Sequence, residues 1–254
     1  MSANRHWQFF VKMKKLSTQY QFLAIDNATI ALADLSLLDD LHPEEELPAL
    51  YAEKLSTAEM HKLTNFSYKK RYAEWLGGRL AAKYGLELFR KKTKQTPLAP
   101  NTVSILADEH GRPYLETEFS TPLSISISHS KGYAAAYVSP KQSCGIDIQQ
   151  VTSKMLNVAE KFTTETEKSL FRDSENHLLT LTIIWVAKEA VKKSLLHDQP
   201  ITFKGTKVVK VETTGAGAWK MHCDVTGNCH SSTTVKIATF NDFVIGCTEG
   251  QPYA

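Results

Sequence analysis

The stretch from residue 123 to 151 constrains the fold most. It carries three short runs of β character in close succession. Residues 123–129 alternate Ser with Ile, residues 133–138 are rich in Ala and Tyr, and residues 145–151 follow a Lys-Gln-Ser turn. Ser130-Lys131-Gly132 is a tight connection between the first two runs. This pattern predicts an antiparallel meander.

Helical patterns flank it on both sides. Residues 47–90 read as helical, and Ser56-Thr57-Ala58-Glu59 has the spacing of a capping box. A longer helix is predicted over 68–89, with Arg71, Trp75, Gly78, Arg79 and Ala82 sharing one face. Gly77 and Gly78 inside it cost about 1 kcal/mol each relative to alanine. Close helix packing or backbone access for a ligand would account for them. Residues 91–101 are rich in lysine and proline and read as a solvated connector. Thr164-Glu165-Thr166-Glu167 is a second capping box, and a longer helix is predicted over 178–196. Strands return after Val208, with 218–225 and 233–238 flanking a Thr226-Gly227-Asn228 hairpin turn. The fold class is therefore α+β, with helices and strands in two successive blocks. A boundary near 141 divides the chain into 1–141 and 142–254.

Charge narrows the function classes. Thirty basic against 27 acidic residues leave a formal charge of +3. A nonspecific nucleic-acid binder usually carries a stronger basic footprint, so any basic patch here is local. No apolar run is long enough to span a membrane. The first residues lack a continuous apolar core of the secretory type. Four cysteines, Cys144, Cys223, Cys229 and Cys247, are too few for a disulfide scaffold and fit a reducing cytoplasm. The pairs His222-Cys223 and Cys229-His230 do not have the spacing of a zinc knuckle.

Two segments carry the chemistry. In Gly145-Ile146-Asp147-Ile148-Gln149, strand parity puts Asp147 and Gln149 on one face and the isoleucines on the other. In Trp185-Val186-Ala187-Lys188-Glu189-Ala190-Val191-Lys192-Lys193, helical spacing places Trp185, Glu189 and Lys193 in one stripe. Trp185 would turn that stripe toward the sheet, where a carboxylate and an ammonium need partners. On spacing alone, an ordinary Glu189–Lys193 surface pair worth about 0.3–0.5 kcal/mol is the simpler explanation of these residues.

Taken with Gly77-Gly78-Arg79, His110-Gly111-Arg112-Pro113 and Ile127-Ser128-His129-Ser130 in the same order, these segments resemble the larger, pseudo-dimeric type of 4′-phosphopantetheinyl transferase. The resemblance runs over about residues 55–195. It implies two similar α+β halves related by a pseudo-twofold, with coenzyme A between them. It also implies transfer of the phosphopantetheine arm to a serine of an apo acyl or peptidyl carrier protein, releasing adenosine 3′,5′-bisphosphate. Mg²⁺ would be held by Asp147 and Glu189, a set that suits an ion taking one or two carboxylates plus phosphate and water. Glu189 would also accept the carrier serine's proton, directly or through water. Lys193 and Lys188 would meet coenzyme A phosphates or the leaving group, and Ser128 and His129 the phosphates of the nucleotide half. Arg112 stands where relatives often carry lysine, and its planar fork suits the 3′-phosphate. Lys70, Arg71 and Arg79 are the remaining cations toward coenzyme A.

The chain departs from many relatives at Gln149, where they carry Glu. Its amide can offer an oxygen to the ion or hold a water, but brings no charge. A cytoplasmic monomer acting on neither nucleic acid nor membrane is expected. Two other readings stay open. A noncatalytic module could bind coenzyme A or a carrier without metal chemistry, and a Mg²⁺-dependent nuclease could use an Asp, a Glu and a Lys around one ion.

Overall fold

The structure is a computed structural model and describes residues 12–15, 20–116, 122–171, 176–196, 205–226 and 230–250. Strands β1 (Lys12–Lys15), β2 (Tyr20–Ile25) and β3 (Ala28–Asp34) come first, where the sequence pattern signals no strands. Helices α1 (Ala49–Ala52), α2 (Thr57–Leu63) and α3 (Lys69–Lys92) follow, and then the hairpin β4 (Ser104–Ala107) and β5 (Pro113–Glu116). Next are β6 (Ser124–Ser130), β7 (Tyr133–Ser139) and β8 (Cys144–Gln150). Helices α4 (Ala159–Phe162), α5 (Glu165–Ser169) and α6 (His177–Leu195) lead to β9 (Thr206–Gly215), β10 (Ala218–Thr226), β11 (His230–Phe240) and β12 (Phe243–Glu249). The tip of the hairpin between β10 and β11, with Gly227, Asn228 and Cys229, lies outside the described residues.

Two five-stranded sheets form, in the orders β1-β2-β3-β7-β6 and β8-β12-β11-β10-β9, with β4-β5 as a separate pair. The order of elements repeats. A strand (β3, β8) leads through a short 3₁₀ turn to a capped short helix (α2, α5) and then a long helix (α3, α6). Two hairpins follow, β4-β5 and β6-β7 in the first half, β9-β10 and β11-β12 in the second. The leading strand then pairs antiparallel with the closing one, β3 with β7 and β8 with β12. The two α+β halves of the expected fold class are thus present, differing in how their peripheral strands attach.

Buried charge repeats with the topology. Both capping boxes form: the Ser56 and Thr164 hydroxyls accept from the third helical N–H, while Glu59 and Glu167 accept from the cap N–H. Each glutamate then reaches further. Glu59 accepts from the Ile105 N–H at 3.0 Å and pairs with Lys83 of α3 at 2.7 Å. Glu167 accepts from the Val208 N–H at 2.9 Å and pairs with Lys188 of α6 at 2.7 Å. Each pair therefore ties a short helix, a long helix and the first strand after it. Burying a carboxylate and an ammonium is tolerable here because their remaining hydrogen-bonding positions are also used.

Each long helix covers its own sheet. Leu76, Leu80, Ala81 and Leu86 of α3 are buried in the first half; Leu181, Ile184, Val186 and Val191 of α6 are buried in the second. Gly77 and Gly78 stand where α3 packs closely. A Cβ on Gly77 would stand 2.1 Å from Leu35 Cδ2, and one on Gly78 3.0 Å from Ile127 Cγ2. A further apolar cluster is built from both sheets: Leu23, Ile30 and Leu32 of the first lie with Ile146, Ile148 and Ile245 of the second. At about 1.5–3 kcal/mol for each large aliphatic side chain fully buried, this shared cluster is the main adhesive between the halves.

The meander expected over 123–151 is only partly right. β6 and β7 pair antiparallel as predicted, but the ladder partner of β8 is β12, with Ile148 opposite Ile245 and Asp147 opposite Gly246. A turn signal marks where a strand begins without choosing its partner. Here β8 opens the second half, and its pairing with β12 closes the sheet beneath α6.

Candidate functional site

The site begins with the contact of α6 on β8. A Cβ on Gly145 would lie 1.9 Å from the Ala190 carbonyl oxygen. Only glycine allows the helix backbone to rest on the strand at this point. On β12, a Cβ on Gly246 would meet Val186 Cγ1 at 2.7 Å, so the neighbouring strand yields to the helix as well. This close seating sets the last turns of α6 against the strand that carries Asp147.

Asp147 is only 6% exposed. Its Oδ1 accepts from the Ser128 hydroxyl at 2.7 Å and from the Lys193 ammonium at 2.9 Å. Lys193 also donates to the Ile146 carbonyl at 3.0 Å, which fixes its head over the strand. The expected stripe of α6 therefore forms, but Lys193 bonds the strand, and Glu189 lies 3.7 Å from Lys192. Burial holds the Glu189 carboxyl above its ordinary range, and the charge of Asp147 pushes the same way; Lys192 and Lys193 oppose both. A strand carboxylate and a helix carboxylate thus feel each other across the α6–β8 contact.

The first half contributes from β6 and α3. His129 Nδ1 lies 3.6 Å from Glu74 Oε1. Burial lowers the His129 pKa, and the charges of Lys193 and Arg71 lower it further, against Glu74 and Asp147. Glu74 also pairs with Lys70, at 3.7 Å. Sequence reasoning missed Glu74, although its position four residues after Lys70 is a usable signal. Asp147, Glu189, Lys193, Ser128, His129 and Arg71 therefore form one electrostatic neighbourhood drawn from both halves. Lys70 joins it through Glu74, with most of its side chain in solvent.

The remaining expected residues lie around or outside this neighbourhood. The Arg112 N–H donates to Asp108 Oδ1 at 2.8 Å, in a turn that places Gly111 at φ +81°. Arg112 shares with Lys193, Ser143 and Cys144 a hollow of about 140 Å³. Arg79 is buried, donates to the Ile105 carbonyl at 2.8 Å and stacks 4.6 Å above the Trp75 ring. Burial drives its pKa down to about 10 despite the pull of Glu59. Arg79 and Trp75 line a cleft of about 620 Å³ with Lys62, Asp108 and Tyr114. The Gln149 amide nitrogen donates to the Gln150 carbonyl at 3.2 Å.

Lys188 is placed otherwise than expected. It is 4% exposed, and its ammonium is taken by Glu167 and by the Phe162 carbonyl, both at 2.7 Å. One residue along a helix turns a side chain by about 100°, so Lys188 faces α5 while Glu189 faces β8. Its partner set is that of Lys83 in the first half, which marks a structural pair.

A stability prediction follows from Glu189. A carboxyl whose folded pKa is raised opposes folding once ionised: its contribution is intact below the ordinary value of 4.5 and declines as pH rises through the folded value. In metal-free buffer, Glu189→Gln is expected to melt above wild type at pH 7, with the difference vanishing below about pH 4. Thermal melts of both proteins over that pH range check this. Equal melting temperatures at pH 7 would show that Glu189 carries no such strain.

Comparisons with known proteins bear on the second half. A family model described as the 4′-phosphopantetheinyl transferase superfamily matches residues 143–248. The chain is 30% identical over 106 residues to the holo-[acyl-carrier-protein] synthase of Staphylococcus aureus strain Newman, covering 39% of this chain and 88% of that protein. The corresponding protein of strain JH9 is 32% identical over 91 residues, covering 36% and 76%. A solved holo-(acyl-carrier-protein) synthase of Bacillus anthracis in complex with CoA (3′,5′-ADP) is 25% identical, covers 43% of this chain and 90% of its own, and gives a TM-score of 0.36.

Proposed function

From the chain's membership of the 4′-phosphopantetheinyl transferase superfamily, we propose that it moves the 4′-phosphopantetheine arm of coenzyme A onto a serine of an apo acyl or peptidyl carrier protein. Adenosine 3′,5′-bisphosphate leaves. The observation that carries the site assignment is the α6–β8 contact, where Lys193 of the helix bonds Asp147 of the strand and Glu189 of the same helix is buried near the Asp147 charge. We further propose 141/142 as the boundary between the halves, just before β8 opens the second.

The donors present fit Mg²⁺. Two carboxylates on separate elements supply hard oxygen ligands. Among the described residues no group of three or more His, Cys, Asp or Glu side chains is arranged to hold a metal. Mg²⁺ asks for no more than one or two protein carboxylates, completing its octahedron with phosphate and water oxygens. Bound between Asp147 and Glu189, it would neutralise charge on the diphosphate of coenzyme A.

The chain's own residues do the rest. Lys193 fixes Asp147 and presents a cation where charge builds on the phosphate oxygens. Glu189 is the acceptor for the proton of the carrier serine, directly or through water. As the serine oxygen bonds to phosphorus, the bond to the departing bisphosphate breaks, and alignment of the two groups is most of the catalysis. Arg71 and His129 border the site from the first half, so nucleotide binding spans both. Lys188 holds the second half together through Glu167. Intact-mass measurement of a panel of apo carriers, incubated with coenzyme A and Mg²⁺, tests the reaction: a gain of one phosphopantetheine on at least one carrier is expected. Coenzyme A binding without transfer to any of them would favour a noncatalytic binding module.

Arg112 sharpens the substrate assignment. It would reach the 3′-phosphate from its turn beside the Lys193 hollow. Arg112→Ala is expected to raise KM for coenzyme A by about tenfold or more while changing that for dephospho-coenzyme A little, matching a lost charge-assisted bond of about 1.5–3 kcal/mol. Equal losses with both substrates would remove Arg112 from the 3′-phosphate.

A further inference from the structure

β6 and β8 run side by side at the seam between the halves, as free edges of different sheets, without a backbone ladder between them. Serine hydroxyls fill the gap. Ser126 Oγ accepts from the Ile146 N–H at 3.1 Å, Ser128 Oγ from the Ile148 N–H at 3.4 Å, and Ser130 Oγ from the Gln150 N–H at 3.1 Å. The Ser/Ile alternation of β6 makes this possible: its serines face β8, while Ile127 packs toward Gly78 of α3. A buried edge N–H without an acceptor is costly, and the serines supply acceptors to three alternate residues of β8.

Ser128 differs from the other two. A serine hydroxyl has one proton to give and two lone pairs to receive. Ser128 receives from the strand and gives its proton to Asp147 Oδ1 at 2.7 Å. Lys193 lands on the same oxygen, so both bonds anchor Oδ1 and leave Oδ2 to a cation. The carboxylate is thereby held by a residue of the opposite half.

We propose that Ser128 is a positioning residue for Asp147: it locks the carboxylate in the rotamer that receives the divalent ion, so that the seam between the halves sets metal affinity. Ser126 and Ser130 only join the halves. This inference rests on the Mg²⁺ reading above. Bonds of this kind, from a neighbour to a ligating carboxylate, are typically worth roughly 10–100-fold in metal affinity.

The test is a Mn²⁺ titration of the full chain saturated with coenzyme A, with free Mn²⁺ read by electron paramagnetic resonance. Ser128→Ala is expected to weaken Mn²⁺ binding by roughly 10–100-fold, and Ser128→Thr to restore it to within a few-fold. Ser126→Ala and Ser130→Ala are expected to lower the melting temperature while leaving Mn²⁺ affinity within about twofold. Should the alanine variant fail to fold, Ser128→Cys keeps the volume and gives up most of the donor strength, and the same loss is expected. An unchanged affinity in Ser128→Ala, or an equal loss in Ser126→Ala, overturns the proposal. Asp147→Ala separates the two levels: if wild type binds Mn²⁺ no better than Asp147→Ala, the metal reading itself has failed and the role of Ser128 falls with it.

Discussion

Asp147→Asn is expected to reduce transfer by at least about 10²–10³-fold, the loss typical when a fixed electrostatic contact to the reacting groups is removed. The substitution is nearly isosteric. Its amide oxygen can still accept from the Ser128 hydroxyl that now meets Oδ1 at 2.7 Å, so the seam is kept. What disappears is the negative charge that would hold Mg²⁺ and that pairs with Lys193. Lys193 retains the Ile146 carbonyl at 3.0 Å, and 29% of its side chain is in solvent, so its unpaired charge costs little stability. Turnover with Mg²⁺ and an accepting apo carrier, measured beside a thermal melt, separates the two effects. A melting temperature near that of wild type with turnover lost is expected. Near-normal turnover would remove Asp147 from the metal site.

The second large effect concerns stability. Lys188→Met is expected to cost about 3–5 kcal/mol, the range for removing one partner of a buried ion pair. The reason lies in what Glu167 does. Besides pairing with Lys188, it accepts from the Thr164 N–H at 3.0 Å and from the Val208 N–H at 2.9 Å, so it cannot turn away when its countercharge is lost. Glu167→Gln in the Lys188→Met background should recover only part of the loss: no charge remains buried, but one of the two oxygens that accept the Thr164 and Val208 N–H groups becomes a donating NH₂. Urea unfolding of the two variants gives the comparison. The KM for coenzyme A of the folded Lys188→Met protein is expected to stay within about twofold of wild type, as befits a side chain facing α5. A tenfold rise in that KM with little change in stability would return Lys188 to the nucleotide.

Much of this fold was legible residue by residue, and the unread part has a common cause. Ser56 with Glu59 and Thr164 with Glu167 announced their helix starts because a capping box is complete within four residues. Their second role was hidden. Nothing local says that Glu59 also receives the Ile105 N–H and Lys83, or that Glu167 receives the Val208 N–H and Lys188. Both glutamates meet partners whose distance along the chain is set by tertiary packing. Likewise β6, β7 and β8 were readable as strands, but the choice of β12 over β7 as the partner of β8 depends on a segment about a hundred residues away. The first three strands left no turn or alternation signal strong enough to read.

The site was legible in a similarly uneven way. Strand parity and helical spacing placed Asp147, Glu189 and Lys193 on defined faces. That those faces meet was an implication of the resemblance, and Gly145 is the residue that lets them. The serines of β6 were visible as an alternating pattern, yet their role depends on an unladdered neighbour that only the folded chain supplies. Lys188 was placed toward coenzyme A by the resemblance alone, and nothing local shows that its ammonium is taken by Glu167 and the Phe162 carbonyl.

The most direct test of the account is a crystal structure of the protein with coenzyme A and Mn²⁺, using anomalous scattering to locate the ion. A single peak bonded to a carboxylate oxygen of Asp147, a carboxylate oxygen of Glu189 and an oxygen of the diphosphate is predicted. An ion bonded to only one of these acids, or one sited away from the contact of α6 with β8, would contradict it.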